Sequence, residues 1–187
     1  DVGFALAFAE LSMAHTERAT ERASFREEYQ EQMVAARQAY EQALALQPGF
    51  PEGILARGVY LYRGVQGYVG AEPDLTAAVK LLPNNFIAFA YLGGMRRRQA
   101  RWTEAIDLLE RAASIEPAEA ITLWAVLYSY TALRQRDPIE RAIQRVQNAA
   151  PSSLEPAIAR ASLLVSFDGD IPGFVAAIEP LYELHPN

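Results

Sequence analysis

The sequence predicts an all-α solenoid of about five helix–turn–helix units, about ten antiparallel helices, on three observations. Pro83, Pro117 and Pro151 lie 34 residues apart, and Pro48 lies 35 before Pro83. That period is the length of a paired-helix repeat. Between prolines, apolar residues recur at spacings of three and four, one helical face at a time, and do so twice per period. Phe86, Phe89, Leu92 and Gly93 mark one face; Ala105, Leu109, Ala112 and Ile115 mark another. Finally, 187 residues with 51% hydrophobic and 21% charged content are an ordinary globular composition, not a disordered one.

Taken in order, the units run approximately 1–48, 49–83, 84–117, 118–151 and 152–187 in a single array over 1–187. In the first, Phe8, Leu11, Ser12 and His15 suit one helix, and Ala36, Tyr40, Ala43 and Pro48 the other. The insert between them, "TERATERASFREEYQEQ", is charged and helix-favouring, so it lengthens both helices. The second unit has Ile54 and Gly58, then Leu75, Ala78 and Pro83; its "RGVQGYVGAEPDL" predicts a loose turn and a late helix start with Pro73 at the first position. Small residues such as Gly58, Gly93 and Ala105 let neighbouring helices approach. The fourth unit has Leu123, Val126 and Tyr130 with Ile143 and Pro151, and Asp137-Pro138-Ile139-Glu140 reads as an N-cap followed by proline at the first helical position. The fifth opens with Ser152-x-x-Glu155 as a capping box. Pro180 and the polar "FDGD" turn make its end degenerate or kinked.

The third unit resembles a tetratricopeptide repeat, whose pattern is W-x2-L-G-x2-Y, then A-x3-F, then P. Phe89, Leu92, Gly93, Ala105, Leu109, Ala112 and Pro117 fill those slots, with Leu109 in the aromatic position and Arg96 in the Tyr position. The other units match in part, so the resemblance covers nearly the whole chain. It implies a right-handed superhelix whose first helices line a concave groove, and a protein–protein interaction scaffold. Separately, "DVGFALAFAELSMAH" is similar to the opening of repeat arrays attached to bacterial adenylate-cyclase-like, kinase-like and winged-helix regulators, where D-P-x-F-A-L-A is common; Val2 replaces the proline. That likeness implies a regulatory parent of bacterial type. An opening at Asp1, with neither initiator Met nor charged n-region, reads as a piece of a longer protein.

Chemistry is sparse. There are two histidines and no cysteine, and no G-x-x-x-x-G-K, G-x-S-x-G or H-E-x-x-H occurs. The reading is therefore no enzyme, no catalytic residue, no metal and no cofactor. His15 falls on a helix seam and His185 beside Pro186. Asp168 and Asp170 flank Gly169 without the further ligands of a Ca²⁺ loop, so they read as a solvated turn with Asp170 as a helix cap. No apolar run reaches the ~20 residues of a membrane span. Without cysteine, redox compartment stays open.

Four arginines crowd "RRRQAR", Arg96 to Arg101. A net charge of −6, from 17 basic and 23 acidic residues, argues against nucleic acid, which needs a row of phosphate contacts. In the repeat register Arg97 and Arg98 end the groove face of their helix, and Arg63 is equivalent to Arg98 one unit earlier. Either the two make a small cationic spot or they are solvated helix ends. Arg96 and Arg101 point elsewhere. Groove positions read Leu55 and Val59, then Ile87 and Ala90, then Ile121, Trp124 and Tyr128, then Ile158. This surface suits an apolar or amphipathic peptide anchored on Trp124 and Tyr128, with an acidic group met by Arg63 and Arg98. The alternative is a spacer or homodimerisation element that orients a catalytic or DNA-binding domain elsewhere in the protein.

Overall fold

Several helices begin where a proline, a glycine or a capping side chain interrupts the apolar period, at Pro51, Gly67, Asn85 and Glu119. The computed structural model describes residues 2–21, 24–64 and 67–184; His185 and Pro186 lie outside them. Ten α-helices appear among these: α1 (Val2–Glu21), α2 (Arg26–Leu46), α3 (Pro51–Val59), α4 (Tyr68–Leu81), α5 (Phe86–Arg98), α6 (Trp102–Ile115), α7 (Ala120–Ala132), α8 (Arg136–Ala149), α9 (Glu155–Leu163) and α10 (Ile171–Leu184). Helices α3 and α9 each run on into a π-helical turn, Tyr60–Gly64 and Leu164–Asp168. No strand occurs among the described residues. Two compact units divide the chain, Asp1–Gln99 and Ala100–Asn187.

In the first unit α1 and α2 are 20 and 21 residues long against 13 or 14 for α5 to α8, as the charged insert predicts. Alanines make their seam narrow: Ala5, Ala9 and Ala19 on α1 and Ala36, Ala39 and Ala43 on α2 are all buried. The Ser12 hydroxyl donates across it to the Ala36 carbonyl, 2.8 Å, and His15 Nδ1 meets Gln32 Oε1 at 2.6 Å. Helix α3 packs against α1, α2 and α4, and α4 against α5. Gly58 is what lets α4 close on α3. A Cβ there would stand 3.0 Å from Leu75 Cδ2 and 3.1 Å from Asp74 Cβ.

In the second unit α6 packs on α7, α7 on α8, α8 on α9 and α9 on α10. Ala105, Leu109, Val126, Leu127, Ile139, Ala142, Ile143 and Leu163 form its main core cluster. Removing its leucine, isoleucine and valine side chains from water stabilises by roughly 1.5–3 kcal/mol each. Glu110 ties the pairs together, accepting from Tyr130 at 3.1 Å and from Arg145 at 2.8 Å. The Asp168–Gly169–Asp170 turn is structural. Gly169 takes a left-handed φ of 69°, Arg136 forks onto Asp168 at 2.5 and 3.0 Å, and Asp170 Oδ1 caps α10 by accepting from Gly173 N at 2.9 Å.

Three helix starts differ from the sequence reading. Pro73 is not at the first position of α4 but within it. The first turn has already closed, Ala71 N donating to Gly67 O at 2.9 Å. The bond Pro73 cannot donate would have gone to the Val69 carbonyl, and Val69 is 90% exposed, so water can take its place. Helix α8 opens at Arg136 with Gln135 as cap, so Asp137 sits inside the first turn and Pro138 third. Arg134 reverses the chain with a left-handed φ of 52°, and the helix begins that much earlier. Helix α9 is capped by Leu154 without a side-chain bond. The proposed box with Ser152 does not form, because the Ser153 hydroxyl donates to the Glu155 carboxylate instead.

Candidate functional site

The π-turn after α3 fits an extra residue into the helix and ends it at Gly64, whose carbonyl accepts from the Tyr29 hydroxyl. Tyr62 and Arg63 ride on this turn. Tyr62 is buried, 4% exposed, with the Tyr68 ring 5.9 Å away and the Tyr91 ring 6.4 Å away edge-on. From the end of α5, Arg98 lies over the Tyr62 ring, 5.1 Å from its centroid, and donates an Nη1 proton to its phenolic oxygen. Thr20, Tyr62, Arg63, Tyr68 and Arg98 thereby line a cavity of about 230 Å³.

Electrostatically this pocket is unbalanced. Among the described residues its lining carries two guanidinium groups and no carboxylate. Arg63 Nε is buried with no hydrogen-bond partner among the described residues. Burial pushes the Tyr62 phenol up, against the pull of Arg98 and Arg63, so it keeps its proton at neutral pH. Behind it, Tyr91 donates to Glu17 at 3.0 Å. Burial first, and the Glu17 charge second, raise the Tyr91 phenol strongly.

Two further arginines of the cluster are paired with carboxylates. Arg96 is buried and pairs with Glu72 at 2.7 Å; Arg101 pairs with Glu104 at 2.6 Å. Arg96 is not part of the pocket lining. Arg97 is half-buried, with its Nε also lacking a partner among the described residues, and does not line the cavity. Arg63 and Arg98 do come together. Tyr62, Tyr68 and Thr20 were not singled out from the sequence; the signal for the two tyrosines is the glycine-broken "YRGVQGYVG" around Arg63, which interrupts the helical period, and Thr20 has none.

Two groove assignments need correction. Leu55 and Val59 are 1% and 0% exposed and belong to the core of the first unit. Since α3 is packed by α1, α2 and α4, its small surface leaves no open face at these positions. Ile87 and Ala90 on α5 are half-buried.

In the second unit α7 presents a stripe. Thr122, Leu123, Val126, Leu127 and Ser129 turn inward, whereas Ile121 is 79% and Tyr128 56% exposed. Trp124 lies between them, half-buried against the core, and its ring stacks on Tyr128 at 5.7 Å and 29°. Ile158 on α9 is exposed as well. The stripe is apolar and aromatic. Among the described residues no group of three or more His, Cys, Asp or Glu side chains is placed to hold a metal ion, and no helix is long and apolar enough to cross a membrane.

No protein-family profile matches the chain, and no curated protein does. Solved structures do. MamA residues 41 to the end from Desulfovibrio magneticus RS-1 superposes with a TM-score of 0.71 at 18% identity, covering 96% of this chain and 98% of that one. TTC0263, a thermophilic TPR protein of Thermus thermophilus, gives 0.59 at 19% identity over 91% and 92%. YrrB, described as a TPR protein with an unusual peptide-binding site, gives 0.67 at 14% identity over 92% and 86%. The fold is the tetratricopeptide-repeat fold.

Proposed function

We propose that this chain, an array of tetratricopeptide fold, is a non-catalytic protein–protein interaction module of a larger regulatory protein and binds a peptide or protein segment. The observation that carries the reading is the Ile121–Trp124–Tyr128 stripe on α7: a stacked aromatic pair held against a core with an exposed isoleucine beside it. Such side chains cost little entropy to order and give up much apolar area on docking. Ile158 adds to the apolar surface of the second unit. In the first unit Arg63 and Arg98 receive an acidic group of the partner, while the half-buried Ile87, Ala90 and Arg97 of α5 supply lesser contacts. YrrB, similar in fold, is described as having a peptide-binding site. The test is quantitative affinity capture with the wild-type chain and an Ile121→Ser/Tyr128→Ser variant of equal helicity. A partner retained by the first and lost by the second supports the reading; equal recovery defeats it.

A second reading is favoured by α10, which is apolar in sequence yet leaves Ile171 and Val175 61% and 50% exposed. Covered by a second copy, this surface makes the chain a self-association element. Sedimentation mass that rises with concentration, and falls in Ile171→Asp/Val175→Asp, is the expected result.

A further inference from the structure

Several arginines elsewhere in this chain meet carboxylates: Arg57 with Asp74, Arg96 with Glu72, Arg136 with Asp168, Arg145 with Glu110. The pocket of the first unit is different. Arg63 and Arg98 share one cavity with Thr20, Tyr62 and Tyr68, and none of the described residues that line it carries a negative charge. Two like charges confined together repel, and an anion between them reverses the sign of the interaction.

The hydrogen-bonding capacity points the same way. Thr20 is the exception, since its proton goes to the Thr16 carbonyl at 2.7 Å and it offers the cavity only an acceptor. Tyr62 accepts from Arg98, which leaves its own O–H free to donate. Arg63 Nε is a buried donor with no acceptor among the described residues, and an unmet buried donor is costly. The cavity is rich in donors and poor in acceptors. It is also built rather than incidental: Tyr62 and Arg63 are held on a π-helical turn, a distortion that regular helix packing does not require.

We infer that this pocket binds a doubly charged oxyanion, the phosphate monoester of a phosphorylated side chain on a protein partner. Two guanidinium groups balance a dianion, and their planar donor forks match the geometry of phosphate oxygens. A volume of about 230 Å³ is several times the ~30 Å³ share of one water molecule, so it admits the ion together with the stem that carries it. The Tyr62 and Tyr68 rings, 5.9 Å apart, provide an apolar wall for that stem. A single two-arginine locus is far smaller than the run of phosphate contacts that nucleic acid binding uses. The inference deepens the reading of Arg63 and Arg98 as receptors of a partner's acidic group.

The experiment is calorimetric titration of the intact chain with inorganic phosphate, sulfate and acetate, and with one serine peptide in phosphorylated and plain forms. Phosphate and sulfate bind at least about tenfold more tightly than acetate, and the phosphopeptide more tightly than free phosphate. Arg63→Gln and Arg98→Gln each weaken binding roughly tenfold to a hundredfold; Arg63→Lys restores part of the loss. Phosphopeptide affinity falls as pH drops from about 7.5 to about 5, through the second ionisation near pH 6, while sulfate affinity holds. Should a Gln variant not fold, Tyr62→Phe in the variant series and the Arg63 Nε–H resonance in the wild type report the same event. Acetate binding as tightly as phosphate, affinity unchanged in both Gln variants, or an Arg63 resonance unmoved at saturation overturns the assignment. Phosphate bound without any gain from the peptide overturns the partner side chain as its source. None of these results touches the capture experiment on Ile121 and Tyr128, so the two readings fail separately.

Discussion

Arg57 grips Asp74 with two parallel hydrogen bonds, Nε to Oδ2 at 2.6 Å and Nη2 to Oδ1 at 2.7 Å, and so bolts α3 to α4. The carboxylate side chain is only 12% exposed, the guanidinium 41%. Gly58, one residue on, sets the same approach of the two helices, so the pair and the glycine work as one contact.

Removing Arg57 leaves Asp74 buried without its fork. Arg57→Ala destabilises by about 1–3 kcal/mol, below the full cost of breaking an enclosed pair because Arg57 is partly solvated. The Arg57→Ala/Asp74→Ala double variant costs less than the sum of the two single changes. Urea denaturation of the four proteins in the cycle measures both quantities.

Gly58 and Gly70 make a contrasting pair. A side chain at Gly58 meets Leu75 and Asp74 at 3.0–3.1 Å, whereas at Gly70 the nearest atom, on Leu61, is 3.8 Å away. Gly58→Val therefore destabilises by about 1–3 kcal/mol through overpacking. Gly70→Ala, in the exposed start of α4, stabilises by about 0.5 kcal/mol. Thermal melts of the two variants should move in opposite directions.

After α5 the chain turns through Ala100, whose φ is 59°. A left-handed alanine bears the steric cost that glycine escapes, and this is the position after a helix where glycine is preferred. Ala100→Gly raises stability by about 1 kcal/mol. A melting temperature unchanged or lowered would show that the turn carries no strain.

Five tyrosines, Tyr40, Tyr60, Tyr62, Tyr91 and Tyr130, have phenols raised above the ordinary 10.0, in each case chiefly by burial. A raised value in the folded state means that the unfolded chain releases these protons first. Their contribution is complete below pH about 10 and is lost as pH climbs above it. Stability should accordingly fall steeply in alkali, and Tyr91→Phe, which removes the most strongly raised phenol, should flatten that fall. Denaturation midpoints between pH about 8 and about 12 test the slope.

Much of the fold is legible in the residues. The 34-residue proline spacing, the doubled apolar faces and the long charged insert correspond to helices found in the structure, with α1 and α2 extended as expected. Helix starts are less so. Asp137 and Ser152 are good capping residue types, but Arg134 turns the chain early and Ser153 bonds to Glu155 first. Both outcomes depend on competing partners two or three residues away.

For the candidate surfaces the division is sharper. Ile121, Trp124 and Tyr128 are read from the repeat register that the resemblance implies, and Ile121 and Tyr128 are exposed, whereas Leu55 and Val59, at corresponding places, are buried because the enlarged first hairpin packs on α3. The four clustered arginines look alike in sequence. Their fates differ: Arg96 to Glu72, Arg101 to Glu104, Arg98 to Tyr62, Arg97 half-buried.

By itself the sequence determined what depends on neighbours three, four or thirty-four residues apart: the helices, their pairing into repeats and their apolar faces. Tertiary structure alone decided which charges distant in sequence are matched and which are left over. Arg98 reaches Tyr62 across 36 residues and Arg57 reaches Asp74 across 17. Such contacts depend on how closely two helices pack and on a π-turn that shifts one of them by a residue. A side chain's Coulomb energy changes over a few ångströms, a distance that helical periodicity does not specify.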